Sequence, residues 1–132
     1  MPKKAVLMVY LFLFQLSFAA IAASVDLTGT WETKYSFGPI EQSTTANIQQ
    51  AKDNLVGSYT VESSTRSGGS GIIFGTVEGD EVLANFLSVE GSLMKIALAD
   101  LRIEDENTLK GSYHYVDTQN QVVTGDFEAT RV

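Results

Sequence analysis

The groups that could do chemistry in this chain are one imidazole, a scatter of carboxylates and a few phenols. His114 is the only histidine among 132 residues, and it stands in "SYHYV" between Tyr113 and Tyr115. In an extended segment, successive side chains point to opposite faces. The two tyrosines therefore share one face and His114 takes the other. With the tyrosine face turned inward, the imidazole is directed to water rather than into a cleft where it could act as acid or base, and no catalytic residue is assigned. Zinc lacks a donor set, because the chain has no cysteine and no second histidine. The acid-rich stretches "EGDE" (78–81) and "EDEN" (104–107) lack the D-x-D-x-D-G spacing of a calcium loop and read as solvated turns. No metal ligand and no cofactor is assigned. "RSGGSG" (66–71) sets serine among glycines, but the helix that a Gly-x-Ser-x-Gly nucleophile elbow needs does not follow it.

The phenols and the large apolar rings remain, and their value depends on the elements that hold them. Beyond residue 24, apolar and polar residues alternate in short runs broken by Gly, Asp, Asn and Ser, which is the pattern of antiparallel strands joined by turns. Eight strands are expected, at 27–36, 44–51, 54–62, 71–78, 81–89, 92–103, 107–116 and 121–131. Most links are tight turn sequences such as "KDN", "VEGS" and "DTQN". Two connections read as longer. "FGPIEQS" (37–43) carries Pro39, which cannot donate to a ladder and so ends the first strand before it. The Ser- and Gly-rich segment 63–71 reads either as a plain linker or as a flap beside a pocket.

Even spacing and short links predict an all-β fold, an eight-stranded antiparallel up-and-down meander that closes into a barrel and so leaves no open edge. "NLVGSYTV" (54–61) and "TLKGSYHY" (108–115) form an internal echo, Leu-x-Gly-Ser-Tyr. Period-2 geometry places Leu55, Gly57, Tyr59 and Val61 inward, with Leu109, Gly111, Tyr113 and Tyr115 as the matching set. The glycines within strands mark places where a small barrel bends or its backbones approach closely.

Ahead of the barrel, Lys3 and Lys4 precede the apolar run 5–18 and the small residues of "AAIAAS", the layout of a secretory signal peptide cleaved near Ala22 or Ala23. Residues 1–23 are thus expected to be a signal peptide, and 24–132 a single domain that is secreted or periplasmic. No membrane segment is expected after cleavage. The chain has 9 basic and 16 acidic residues; without Lys3 and Lys4 the balance is 7 − 16 = −9, which repels phosphate backbones and excludes nucleic acid as a partner. An exported domain without cysteine must hold together by packing alone.

"LTGTW" (27–31) opening the first strand, "LVGSY" in the third and "FEATRV" (127–132) closing the last resemble the avidin branch of the calycin superfamily. The resemblance implies that Trp31 seals one barrel end and that Arg131, from the final strand, lies across it. It also tests a ligand. The Tyr position of the biotin site falls on Tyr59, but its Asn and Ser positions fall on Thr33 and Phe37, and with a single Trp the aromatic box would have to be improvised from Phe86, Tyr113, Tyr115 or Phe127. Tight biotin binding is not expected.

The expected function is a non-enzymatic exported barrel holding a small, partly apolar ligand at its open end, with Tyr59, Tyr113, Tyr115, Phe86 and Thr33 as lining. The alternatives are a secreted protein-binding module, such as a hydrolase inhibitor, and a barrel-cavity isomerase or cyclase whose only inward ionisable candidate is Lys95. In "SLMKIALADL" (92–101) apolar residues occupy both faces, and Leu83, Leu87 and Val89 continue the outward pattern. A homo-oligomer joined through strands 81–89 and 92–103 is therefore expected.

Overall fold

A computed structural model describes residues 25–37, 40–64, 68–117 and 119–132; the expected signal peptide lies outside them. Eight strands follow one another: β1 (Gly29–Phe37), β2 (Ile40–Ala51), β3 (Asn54–Ser63), β4 (Ser70–Glu78), β5 (Glu81–Glu90), β6 (Leu93–Asp105), β7 (Thr108–Val116) and β8 (Val122–Arg131). Each pairs antiparallel with the next, and β8 returns to β1, so the sheet is a closed up-and-down barrel. The architecture is all-β, as the alternating pattern predicts. At this coarse level it agrees with a calycin-type barrel.

Two strand limits correct the sequence reading. The connection after β1 is not the long one drawn through 37–43. Phe37 pairs directly with Ile40, and β2 begins there rather than at residue 44. Proline ends the ladder before it but puts no bar on the residues after it, and "IEQSTT" resumes pairing at once. The expected flap at 63–71 is also shorter. Ser63 closes β3, Ser70 opens β4, and the Val61 amide donates to the Gly69 carbonyl at 2.7 Å. Residues 65–67 lie outside the described set. Residues 93–101 are strand throughout, within β6.

One end of the barrel is sealed. Trp31 is 2 % exposed and Leu27, from the short arm before β1, is fully buried. The indole Nε1 donates to the Leu27 carbonyl at 2.9 Å, so its one polar atom is satisfied where it is buried. Trp31 and Arg131 are register partners, and the guanidinium carbon sits 4.6 Å from the indole centroid. That same guanidinium donates to the carbonyls of Asp26, Thr28 and Glu106 at 2.7–3.0 Å. One side chain thereby ties the N-terminal arm, the β6–β7 turn and the last strand together.

Above this plug, the core is built from alternate residues of every strand. Leu55, Ile73, Val77, Val82, Leu101 and Leu109 are buried, with Ala46, Ala84, Ala99 and Ala129 supplying the small positions between them. Ala46 stands beside Trp31 in register, which leaves room for the ring. The internal echo occupies equivalent places in β3 and β7, where Leu55 and Leu109 are both buried. The pairing of β6 with β7 carries a register shift between Ile103 and Asp105 of β6, which the pairing of β2 with β3 lacks. β1 and β8 pair only from Trp31–Arg131 to Thr33–Ala129, while every other pair of neighbours runs for seven residues or more. The seam is closed at the Trp31 end and parts toward the other.

Candidate binding site at the barrel mouth

The end opposite Trp31 is where the inward aromatic residues gather. Tyr59 on β3 meets Phe86 on β5 edge-to-face, with centroids 5.3 Å apart and planes at 68°. Phe86 in turn packs on Phe127 of β8 at 6.1 Å. Tyr113 and Tyr115, two residues apart on β7, lie parallel at 6.0 Å and 10°. The structure brings Tyr59 and Phe86 into contact, adds Phe127 to them, and stacks the two β7 tyrosines on each other.

Local sequence explains why such large rings fit. Tyr59 and Tyr113, the equivalent tyrosines of the echo, each lie across a glycine that is their register partner, Gly71 on β4 and Gly125 on β8. A Cβ at Gly125 would come within 2.5 Å of the Tyr113 ring, and one at Gly71 within 2.6 Å of the Tyr59 hydroxyl oxygen. Next to the β7 stack, β6 presents only Ala97 and Ala99. Tyr59, between Ala46 and Gly71, and Tyr113, between Ala99 and Gly125, thus have small neighbours on both flanks.

Thr33 is 5 % exposed and Thr44 is 7 % exposed, both facing inward on β1 and β2. They help line an internal cavity with Trp31, Ile73, Phe86 and Phe127. Its free volume is about 30 Å³, room for roughly one water molecule, whereas small-molecule sites run from about 300 Å³ upward. The half of the barrel between Trp31 and Phe86 is therefore packed shut. Among the described residues, this lower interior leaves no room for a small-molecule guest.

At the mouth one polar atom stands out. Ser63, on the same inward parity as Tyr59 and Val61 at the end of β3, has a buried Oγ with no hydrogen-bond partner among the described residues. Buried hydroxyls are nearly always paired, so an orphan marks a place where something else can supply the partner. Sequence reasoning missed Ser63 because the Ser-rich run was read as loop from that residue onward. Continuing the period-2 count one step past Val61 would have found it. Thr44 was missed because β2 was started at that position rather than four residues earlier.

The remaining candidates fall elsewhere. His114 faces out, as its parity requires. Its Nδ1 lies 3.0 Å from the Thr124 hydroxyl and its Nε2 3.4 Å from the Ser112 hydroxyl, all on the outer surface of β7 and β8. Among the described residues, no three His, Cys, Asp or Glu side chains come together to hold a metal. Lys95 shares the inward parity of β6 but is solvent-exposed. The titration that responds most clearly to the fold is at the sealed end. The Thr28 backbone N–H, then the Thr28 hydroxyl and the Arg131 charge, hold the Asp26 carboxyl below its usual 3.8.

No protein-family model matches the chain, and no curated protein matches it either.

Proposed function

We propose that this chain is an exported, non-enzymatic barrel that holds one small, neutral, partly apolar molecule at its mouth. The observation that carries the reading is the Ser63 hydroxyl, buried and unpartnered on the same inward face of β3 as Tyr59. A ring system resting on Tyr59, Phe86 and the Tyr113–Tyr115 stack, with an oxygen or nitrogen acceptor reaching Ser63, would satisfy both the apolar surface and the orphan donor. Entry is from the end where β1 and β8 stop pairing. The Trp31–Arg131 pair supports reading the chain as a calycin-type barrel of the avidin-like branch, with the biotin set replaced by Thr33 and other side chains. The export signal read in residues 1–23 supports a secreted or periplasmic place of action.

Titration against a panel of neutral bicyclic aromatic compounds bearing a carbonyl or hydroxyl tests this reading. Ser63→Ala and Tyr59→Phe should each weaken the best binder by about 5- to 10-fold, the loss of one hydrogen bond, while leaving the barrel folded. No binder in the panel, or a binder indifferent to both substitutions, counts against it. The packed lower interior favours a second reading, a secreted module that engages another protein, such as a hydrolase, through its rim. Under that reading both interior substitutions leave function unchanged and substitutions in the mouth loops abolish it.

A further inference from the structure

We infer that the outer face of β4, β5 and β6 is the surface through which two copies of this chain pair. The register of the sheet makes the case. Ile72, Leu87 and Ile96 form one row across the three strands, Phe74, Asn85 and Leu98 a second, and Val89 with Met94 a third. Ile72, Phe74, Val89, Met94, Ile96 and Leu98 are between 39 and 67 % exposed, although on strands of a closed barrel the outer positions need no apolar residue at all. The sequence pointed to β5 and β6; the coordinates extend the patch to β4. At roughly 100 Å² for each half-exposed large side chain, these six present on the order of 600 Å², at the upper end of the patches monomers show and approaching the about 800 Å² that one partner gives to a standard interface.

Charge decides the occupant. No ionisable side chain lies within the three rows. Carboxylates and guanidinium begin only at the border, with Asp100 beside Leu83 and Arg102 beside Glu81. Two copies of this acidic chain, net charge −7, repel one another, and a face without charge is where that repulsion costs least. A basic partner would instead be drawn to the carboxylates outside this face. The one polar side chain inside the rows, Asn85, already donates to its own Phe74 carbonyl at 3.0 Å, so covering it leaves that donor satisfied. A two-fold axis through β5 would stack the two sheets face to face and match each apolar row with another.

Sedimentation of the protein recovered from an exporting host, over a range of concentrations, tests the pairing. A dimer is expected at micromolar concentration, with Ile96→Glu weakening it at least 100-fold and keeping the wild-type circular dichroism spectrum. Should Ile96→Glu fail to fold, Met94→Lys, at the most exposed position of the patch, reads the same surface. A wild-type monomer at about 100 µM overturns the inference, as does a dimer untouched by either charge. A monomer that co-sediments with phosphatidylcholine vesicles also overturns it, because the patch would then be a lipid-facing surface. The outcome is independent of whether the mouth binds a ligand.

Discussion

Replacing Arg131 with Met keeps a long side chain over the indole and removes the guanidinium fork. The wild-type group makes bonds of 2.7–3.0 Å to three main-chain carbonyls belonging to Asp26, Thr28 and Glu106, besides its contact with Trp31 at 4.6 Å. Hydrogen bonds from a charged donor contribute about 1.5 to 3 kcal/mol each when shielded, but this site is partly open to water, so about 0.5 to 1 kcal/mol per carbonyl is the discounted figure. A cation over an indole adds about 0.5 to 1 kcal/mol at such exposure. The expected loss is about 3 kcal/mol, which lowers the melting temperature of a domain this size by roughly 12 to 24 °C. Urea unfolding followed by the fluorescence of the single Trp measures it directly. Arg131→Lys keeps the charge but cannot reach three carbonyls from one ammonium, so most of the loss should persist. An Arg131→Met variant within about 0.5 kcal/mol of wild type, or a Lys variant that fully restores it, refutes the latch.

At Gly125 an added methyl would meet the Tyr113 ring at 2.5 Å, so Gly125→Ala is expected to destabilise by about 1 to 3 kcal/mol. The double variant with Tyr113→Ala should show a coupling above about 1 kcal/mol in a mutant cycle; additive losses would mean that the ring does not lie on that glycine. Asp26 titrates below its usual value in the folded state, so its contribution is present above 3.8 and disappears as pH falls through the lowered folded value. The gap in urea midpoint between wild type and Asp26→Asn should therefore be widest near neutrality and close in that acid range. A gap that stays constant with pH removes the assignment.

The fold was legible because every strand of the barrel has one face in the core and the other in water, the condition under which period-2 alternation is sharpest. Leu55 and Leu109 inward and His114 outward follow from parity alone, and the structure places them so. Where punctuation residues crowd together the reading slipped. Gly38 and Pro39 pushed the start of β2 from Ile40 to Thr44, and the serines after Glu62 hid Ser63 from the inward count. Part of the mouth was out of reach for another reason. Whether Tyr113 and Tyr115 face a partner or each other depends on Gly125, Ala97 and Ala99 across neighbouring strands, and pairing of that kind is long-range. Trp31 and Arg131 are a hundred residues apart; their pairing is what the avidin-like resemblance implies, and the contact between the first and last strands of the closed meander places them side by side.

Native mass spectrometry of the protein isolated from its own host, without refolding, tests the binding claim most directly. A population carrying one small organic adduct per chain is expected, and it should be lost in the Ser63→Ala, Tyr59→Phe double variant. Bare protein in every preparation, or an adduct equally retained by the double variant, contradicts it.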